Sequence, residues 1–226
     1  MVKSFCKSVA NFLAAILVMP SVVLCRASYG TVGPSRVFQG WSQLFSLVPG
    51  TMGEFVRRAF YRFTLAGCGQ DISIGFGTVI SHPSAAIGRS VYVGGFSILG
   101  DVTLEDDVIV ASHVSIINGS AQHGIDRIDI PIRQQPGKWP RITIGMDSWI
   151  GERAVVQANI GRHCVIGAGS VVVKPIPDYA IAVGAPARVI RFRNQTDLAD
   201  SISSDFTTDH GSEVSSNSKN VCEEIG

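Results

Sequence analysis

The chain is poor in the features that usually announce a site. Its five cysteines, Cys6, Cys25, Cys68, Cys164 and Cys222, include no C-x-x-C and no paired spacing. They supply neither a disulfide framework nor a zinc motif, and they fit a reducing compartment. Charge of one sign is missing as well: the formal net charge is +1 over 226 residues, so nothing points to nucleic acid. No glycine-rich loop of the kind that cradles nucleotide phosphates occurs. Histidine, the side chain suited to move protons near neutrality, appears five times, at His82, His113, His123, His163 and His210. The most regular stretch, 142–191, has neither the 3.6-residue period of a helix nor the alternation of a strand. The length suits one principal domain with appendages.

What is present is a period of six. Ile144, Ile150, Ile160 and Ile166 are each followed by glycine, and four residues after each comes a small side chain: Ser148, Ala154, Cys164 and Ser170. A short fixed period predicts a parallel β-helix whose coils stack. The aliphatic residue fills the inside of a coil, and the small residue points inward where a large one has no room. The glycine permits a corner with positive φ, or a close approach of backbones. One coil cannot bury its apolar face alone. The pattern starts at Ile74 and runs through Ile80, Ile87, Val93, Leu99, Leu104 and Val110, slipping by one near Ile87 and again near Leu104. It stops over 119–141, and between Val156 and Ile160 it is two residues short. A long stretch without the repeat is usually functional.

The hexads, the run Ile166-Gly-Ala-Gly-Ser-Val, then Lys174-Pro-Ile-Pro, then Val183-Gly-Ala-Pro-Ala-Arg188, resemble the catalytic domain of hexapeptide-repeat acyltransferases, in the group that acetylates sugars, including those that decorate exopolysaccharides. The resemblance covers roughly Leu65 to Arg193. It implies an all-β, left-handed parallel β-helix; the general preference for right-handed crossovers would give the opposite hand. It also implies acetyl-CoA as acyl donor, a sugar or lipid-linked glycan as acceptor, no metal, and a homotrimer with the active site between neighbouring prisms.

Three segments follow: 1–64, an apolar anchoring segment and an amphipathic helix; 65–193, the β-helix with the insertion 119–141; and 194–226, rich in Ser, Asp and Asn and expected to be disordered. Residues 8–25 are apolar and uncharged, interrupted only by Pro20. Eighteen residues are marginal for a membrane crossing, and a cleaved signal peptide is the plainer alternative. Proline removes a backbone donor and bends a helix, so a re-entrant helix–break–helix is expected, with Ser21 satisfying the freed backbone. That arrangement keeps the catalytic domain on the cytoplasmic side of the membrane. Residues 38–63 pair aromatic and aliphatic side chains with Arg57, Arg58 and Arg62, which suits either an interfacial helix with Trp41 or a cap on the end of the β-helix.

Acyl transfer from a thioester to a hydroxyl needs a base for the acceptor proton and donors for the oxyanion. By resemblance His123, where the insertion leaves the coil, is the catalytic base, with Asp126 or Asp129, or a backbone carbonyl, as its orienting partner. His82 is the competitor, because serine acetyltransferases carry their histidine at a matching offset. The aspartate they pair with it corresponds to Gly67 here, and Asp71 is close but offset. His163 sits on an outward position with no expected role, Cys164 reads as packing, and neither Cys68 nor Cys164 is placed as a nucleophile. Trp139 is implied to line the acceptor or pantetheine channel, and Asp126 the acceptor site. Trp149, Gly167, Ala168, Gly169 and Ser170 are implied to lie along the coenzyme A arm, with Lys174 and Arg188 on its phosphates. Two other classes stay open: a γ-carbonic-anhydrase-like metalloenzyme using His82, His113 and His123, and a non-catalytic β-helix scaffold.

Overall fold

A computed structural model describes the backbone of residues 2–28 and 34–195 and the side chains of 8–28 and 36–195. The expectations for the tail beyond residue 195, for His210 and for the side chains of Lys3 and Lys7 fall outside the described residues. Three helices, α1 (Val2–Ala27), α2 (Pro34–Ser46) and α3 (Gly50–Thr64), precede a parallel β-helix of about six coils.

The coils build three faces. Face I stacks Gly67–Cys68, Ala86–Ile87, Val102–Leu104 and Ile142–Ile144. Face II stacks Ser73–Ile74, Tyr92–Val93, Ile109–Val110, Trp149–Ile150, Val165–Ile166 and Ala180–Val183, and the antiparallel strand Arg188–Phe192 closes it. Face III stacks Val79–Ile80, Ile98–Leu99, Ser115–Ile116, Val155–Val156 and Val171–Val172. The hexad aliphatics point inward and are buried. The small inward residues do more than fit. Thr78 Oγ1 donates to Gly94 O (2.6 Å) and accepts from Ser97 N (3.1 Å). Ser148 Oγ does the same with Gly161 O (2.8 Å) and Cys164 N (3.0 Å), so the hydroxyls stitch coil to coil. Cys164 is buried packing, as its position implies.

Of the two reasons offered for the repeat glycine, close approach is the operative one. A Cβ on Gly145 would sit 2.5 Å from the carbonyl carbon of Gly161, one coil away, and one on Gly75 2.5 Å from Gly95 N. Positive φ falls two residues later, mostly on non-glycine residues. It forms one ladder along the I–II edge, including Asp107, Asp147, His163 and Tyr179, and another along the II–III edge at Gly77, Phe96, His113, Arg153 and Gly169. Side chains stack along both ladders, Phe96 on His113 (5.3 Å) and His163 on Tyr179 (5.0 Å).

Every departure from the six-residue spacing lies on the third edge, between faces III and I. Ile80 to Ile87 is seven residues, Leu99 to Leu104 is five, and Ile116 to Ile144 contains the insertion. Val156 to Ile160 and Val172 to Ile176 are four each. The last two shorten face I to single bridges, Ile144 to Ile160 and Ile160 to Ile176. This is the local consequence of the missing pair of residues.

The helices cap the first coil, whose backbone has no preceding coil to bond. Arg57, only 1% exposed, donates from Nε to Ile74 O (2.8 Å) and from a terminal nitrogen to Val48 O (2.7 Å). Arg58 Nε reaches Ile72 O (2.6 Å), Ser42 Oγ takes Ile80 N (3.0 Å), and Gly77 N donates to Ser46 O (2.9 Å). An open sheet edge is thereby paired. Burial lowers the affinity of Arg57 for its proton and pushes the Tyr61 hydroxyl, bonded to Ser42 at 2.7 Å, up to about 12. The cap reading of 38–63 is therefore observed, and it is compatible with the interfacial one. Trp41 packs against this core and stacks on Phe45 (6.0 Å), and Arg57 is a buried clamp rather than an interfacial charge.

The expected break at Pro20 is absent, since α1 runs continuously through it. Ser21 Oγ donates to Val18 O (2.6 Å), not to the carbonyl that proline leaves unpaired four residues before it. One face of α1, with Ala14, Val18, Val22 and Cys25, packs inward, and Arg26 ties its end to Phe63 O (2.6 and 3.0 Å). Packing against α3 accompanies a helix that continues past its proline.

Candidate active site

The III–I edge gathers the chemistry. Along it, from the first coil to the fifth, lie His82, Asp101, the insertion with His123 and Trp139, and Lys174. Asn118 makes the neck of the insertion. Its Nδ2 donates to Asp101 O (2.8 Å) and Pro140 O (2.9 Å), and its Oδ1 accepts from Asp101 N (3.0 Å). Gly119 turns there with φ +79°. The Asp101 carboxylate receives Ser84 Oγ (2.9 Å) and the Arg141 guanidinium (3.1 Å), tying the loop's exit to the coil beneath.

Inside the loop, Gln135 is the buried centre. Its Nε2 donates to Arg127 O (2.7 Å) and Ile130 O (3.3 Å), and its Oε1 accepts from Arg127 N (3.1 Å). Lys138 N donates to Ala121 O (2.7 Å), which brings the two limbs together. His123 and Trp139 face each other edge to face, ring centres 5.8 Å apart, both exposed. His123 makes no hydrogen bond with any described residue. Asp129 is bound to Arg127, and Asp126 is exposed. Neither aspartate orients the histidine within one chain. The loop also displays Ile125, Ile128 (100% exposed) and Ile132 without packing.

His82 is half-buried, with Nδ1 2.8 Å from Ser81 Oγ, which itself reaches Leu99 O (3.1 Å). With the serine proton on that carbonyl, Ser81 accepts from Nδ1–H and leaves Nε2 basic. Gly67, at the position of the serine enzymes' aspartate, offers His82 no carboxylate.

The donor-side candidates lie elsewhere. Trp149 is exposed on face II, and Ala168 and Gly169 are exposed at the II–III edge. Ser170 is fully buried, its Oγ accepting from Gly184 N (3.1 Å), so it faces the coil interior and not a ligand. Gly167 packs under Val183, where an added Cβ would be 2.8 Å from Cγ1. Arg188 is exposed on the closing strand. A single chain therefore keeps His123 and Lys174 on one edge and Trp149, Ala168, Gly169 and Arg188 on face II and the edge beyond it. His113 belongs with the second group, and among the described residues no three His, Cys, Asp or Glu side chains are grouped to hold a metal. Burial pushes the Cys68 thiol up to about 11 and raises Cys164 too, which suits neither to nucleophilic attack.

A groove of about 820 Å³ runs over face I past Ala86, Thr103, Thr143 and Pro175. Its acids are already engaged, Asp106 with Arg89 (2.6 Å), Asp178 with Arg162 (3.2 Å) and Glu105 accepting from Met146 N (2.9 Å).

No model of a known protein family matches the chain. It is 37% identical over 122 residues to a probable acetyltransferase of Mycobacterium tuberculosis, covering 51% of this chain and 40% of that protein. It is 38% identical over 117 residues to the galactoside O-acetyltransferase of Escherichia coli, covering 49% and 55%. A serine acetyltransferase of Haemophilus influenzae matches at 29% over 121 residues, covering 54% and 42%. These matches span about half the length of those relatives or less. Among solved structures, a galactoside acetyltransferase in complex with coenzyme A superposes with a TM-score of 0.61 at 26% identity, covering 71% of this chain and 81% of that one. A hexapeptide-repeat acetyltransferase of Vibrio cholerae shares the fold, with a TM-score of 0.62 at 20% identity over 74% and 92%.

Proposed function

We propose that this chain is a hexapeptide-repeat acyltransferase, and within that class an acetyl-CoA-dependent O-acetyltransferase acting on a sugar hydroxyl, with His123 as general base. The observation that carries the reading is the pinned loop: Asn118 and the Asp101–Arg141 pair fix the root of a segment that presents His123 beside Trp139. The aromatic ring offers a sugar an apolar face, and the imidazole offers its hydroxyl a base. His123 takes the hydroxyl proton as the oxygen attacks the thioester carbonyl. The C–S bond then breaks and the thiolate of coenzyme A receives the proton. No acyl-enzyme is needed.

The separation of the two candidate groups favours assembly. A neighbouring copy that sets its Trp149 and Ala168–Gly169 side against the His123 loop completes a site that one chain leaves divided. The exposed apolar side chains Tyr92, Phe96, Ile98, Ile109 and Trp149 suit such contact, and a trimer closes it by symmetry. Lys174 and Arg188 are then the partners for the donor's phosphates. The exposed apolar side of α1 suits a membrane surface on the cytoplasmic side, where a lipid-linked glycan of exopolysaccharide synthesis would be the acceptor.

The test is acetyl transfer from acetyl-CoA to a panel of simple, nucleotide-linked and lipid-linked sugars, with His123→Ala and His82→Ala in parallel. His123→Ala should lower kcat roughly 10²–10⁴-fold, the usual size of a general-base contribution, and leave coenzyme A binding nearly unchanged. The Ser81–His82 hydrogen bond and the serine acetyltransferase similarity favour the second reading. A loss confined to His82→Ala would establish it and overturn the first.

A further inference from the structure

Beside the apolar side of α1 lies a second cavity, of about 470 Å³, between α1, α3 and the first coil. Its walls are apolar, with Phe12, Ala15, Ala59 and Phe63, and its polar end holds Arg58, Arg62, Asn11 and Gln70. Arg58 lines the cavity, fixed by Ile72 O (2.6 Å), by the Phe55 ring under its guanidinium (5.4 Å) and by Asn11 Oδ1 (3.4 Å) through one terminal nitrogen, and its other terminal nitrogen has no hydrogen-bond partner among the described residues. Arg62 is exposed and makes no hydrogen bond or ion pair with any described residue. Asp71 is the cavity's one acid and is already engaged in an interaction.

Two features around the cavity name its ligand. From the cavity mouth, α1 carries Phe12, Leu13, Ile16, Leu17, Val23 and Leu24 to the surface, each more than half exposed, on a helix long and apolar enough to cross a membrane. Yet α1 is packed along α3 and tied to it at Arg26, so the exposed side lies along the domain's flank. Charge is divided sharply as well. The chain's 19 basic and 18 acidic residues fall as seven and one before Leu65, and as twelve and seventeen after it. Residues 65–195 are nearly neutral, with eleven basic and ten acidic residues, so the basic, apolar flank is the side that complements an anionic bilayer surface.

We propose that this cavity is a head-group site for an anionic membrane phospholipid. The phosphate lies between the Arg58 and Arg62 guanidinium groups, whose geometry matches phosphate oxygens, and the acyl chains run along Phe12, Ile16 and Leu17. The proposal rests on the membrane-surface reading above and extends it from a general attraction to one occupied site. It also sets the orientation of the enzyme, with α1 lying in the plane of the membrane and the β-helix axis leading away from it.

The experiment uses the full chain in a maltoside detergent and dihexanoylphosphatidylglycerol below its micellar concentration, followed by calorimetry. The expected result is saturable binding of one lipid per chain. Arg62→Gln should weaken it at least tenfold, while Arg36→Gln, which removes the same charge from α2, should leave it unchanged. Arg62 makes no structural bond, and a melting curve confirms that the variant folds. Equal effects of the two variants would show diffuse attraction only and overturn the site. Glycerol 3-phosphate binding as tightly as the lipid would make the ligand a soluble phosphate and overturn the lipid assignment. Flotation of wild-type protein with phosphatidylglycerol-containing but not phosphatidylcholine vesicles checks the membrane reading separately. No flotation overturns that reading, whereas flotation without saturable lipid binding overturns the head-group site alone.

Discussion

Two edges of the prism are strict and one is free. The I–II and II–III edges keep four residues between strands almost throughout, place one residue of each corner at positive φ, and pack the glycine of one coil against the backbone of the next. The III–I edge keeps no constant length and carries none of these positive-φ ladders. The candidate base and its loop sit on the free edge because chain can be added there without shifting the inward register of the other two faces. The strict edges supply rigidity, and the free edge supplies a place for a loop. The same contrast explains why His163 and His123 differ. His163 is locked at a strict corner between Asp147 (2.9 Å) and the Tyr179 ring, while His123 stands exposed on the loop.

The largest expected effect is the catalytic one on the free edge, the loss of kcat in His123→Ala; a variant with wild-type kcat would remove the functional meaning of the contrast. Next comes a structural comparison. Inserting one glycine after Met146, on a strict edge, should abolish cooperative folding, because a one-residue slip sends inward side chains outward. The same insertion after Val173, on the free edge, should leave a cooperative melt a few degrees lower. If thermal melts show both insertions equally tolerated or equally destructive, the division of edges is wrong. Gly145→Ala is a milder form of the strict-edge test. Its Cβ must displace the backbone of Gly161 and Arg162, at a cost of about 1–3 kcal/mol for overpacking, measurable by denaturant unfolding.

Asn118→Ala sharpens the free side. It strands Asp101 N, Asp101 O and Pro140 O, a loss of about 1–3 kcal/mol if the groups stay dry. With the loop neck loosened, kcat should fall by up to roughly 10²-fold through misplacement of His123, with the KM for acetyl-CoA little changed. An unchanged kcat would mean that the neck does not position the base. The smallest effect concerns pH. The Asp147 carboxyl is held below its usual range, chiefly by the His163 ring and then by Arg193. A depressed carboxylate contributes stability that is present above its unfolded pKa and lost as pH falls through the folded one. Asp147→Asn should therefore flatten the drop in Tm on going from pH 6 to pH 3. Identical slopes in variant and wild type would show that this pair adds nothing to acid stability.

Much of this was readable in one dimension. Inward aliphatic and small residues recur every six positions because burial in a coil leaves no alternative, so Ile144, Ser148, Ile150 and Ala154 announce the fold by themselves. The interruption at 119–141 announces the loop for the same reason, and the slips near Ile87 and Leu104 mark the free edge for a reader who knows which face each hexad occupies. The roles of Gln135, Asn118 and Asp101 left no trace, because an Asn or Gln in a polar loop looks alike whether it is solvated or bonded to carbonyls on both limbs.

The periodic spacing of apolar and small residues determined the β-helix and its loop, since a repeat signal needs only near neighbours along the chain. Tertiary structure alone decided which side of each ambiguity held. Arg57 is buried because the first coil has unpaired carbonyls at Ile72 and Ile74 for α3 to meet. The helix continues past Pro20 with α3 packed along it. Ser42 turns its hydroxyl to Ile80 N because that amide of the first coil has no preceding coil to bond. In each case the deciding group lies far away in sequence, and a charge, a proline or a hydroxyl carries no record of the distant atom that will satisfy it.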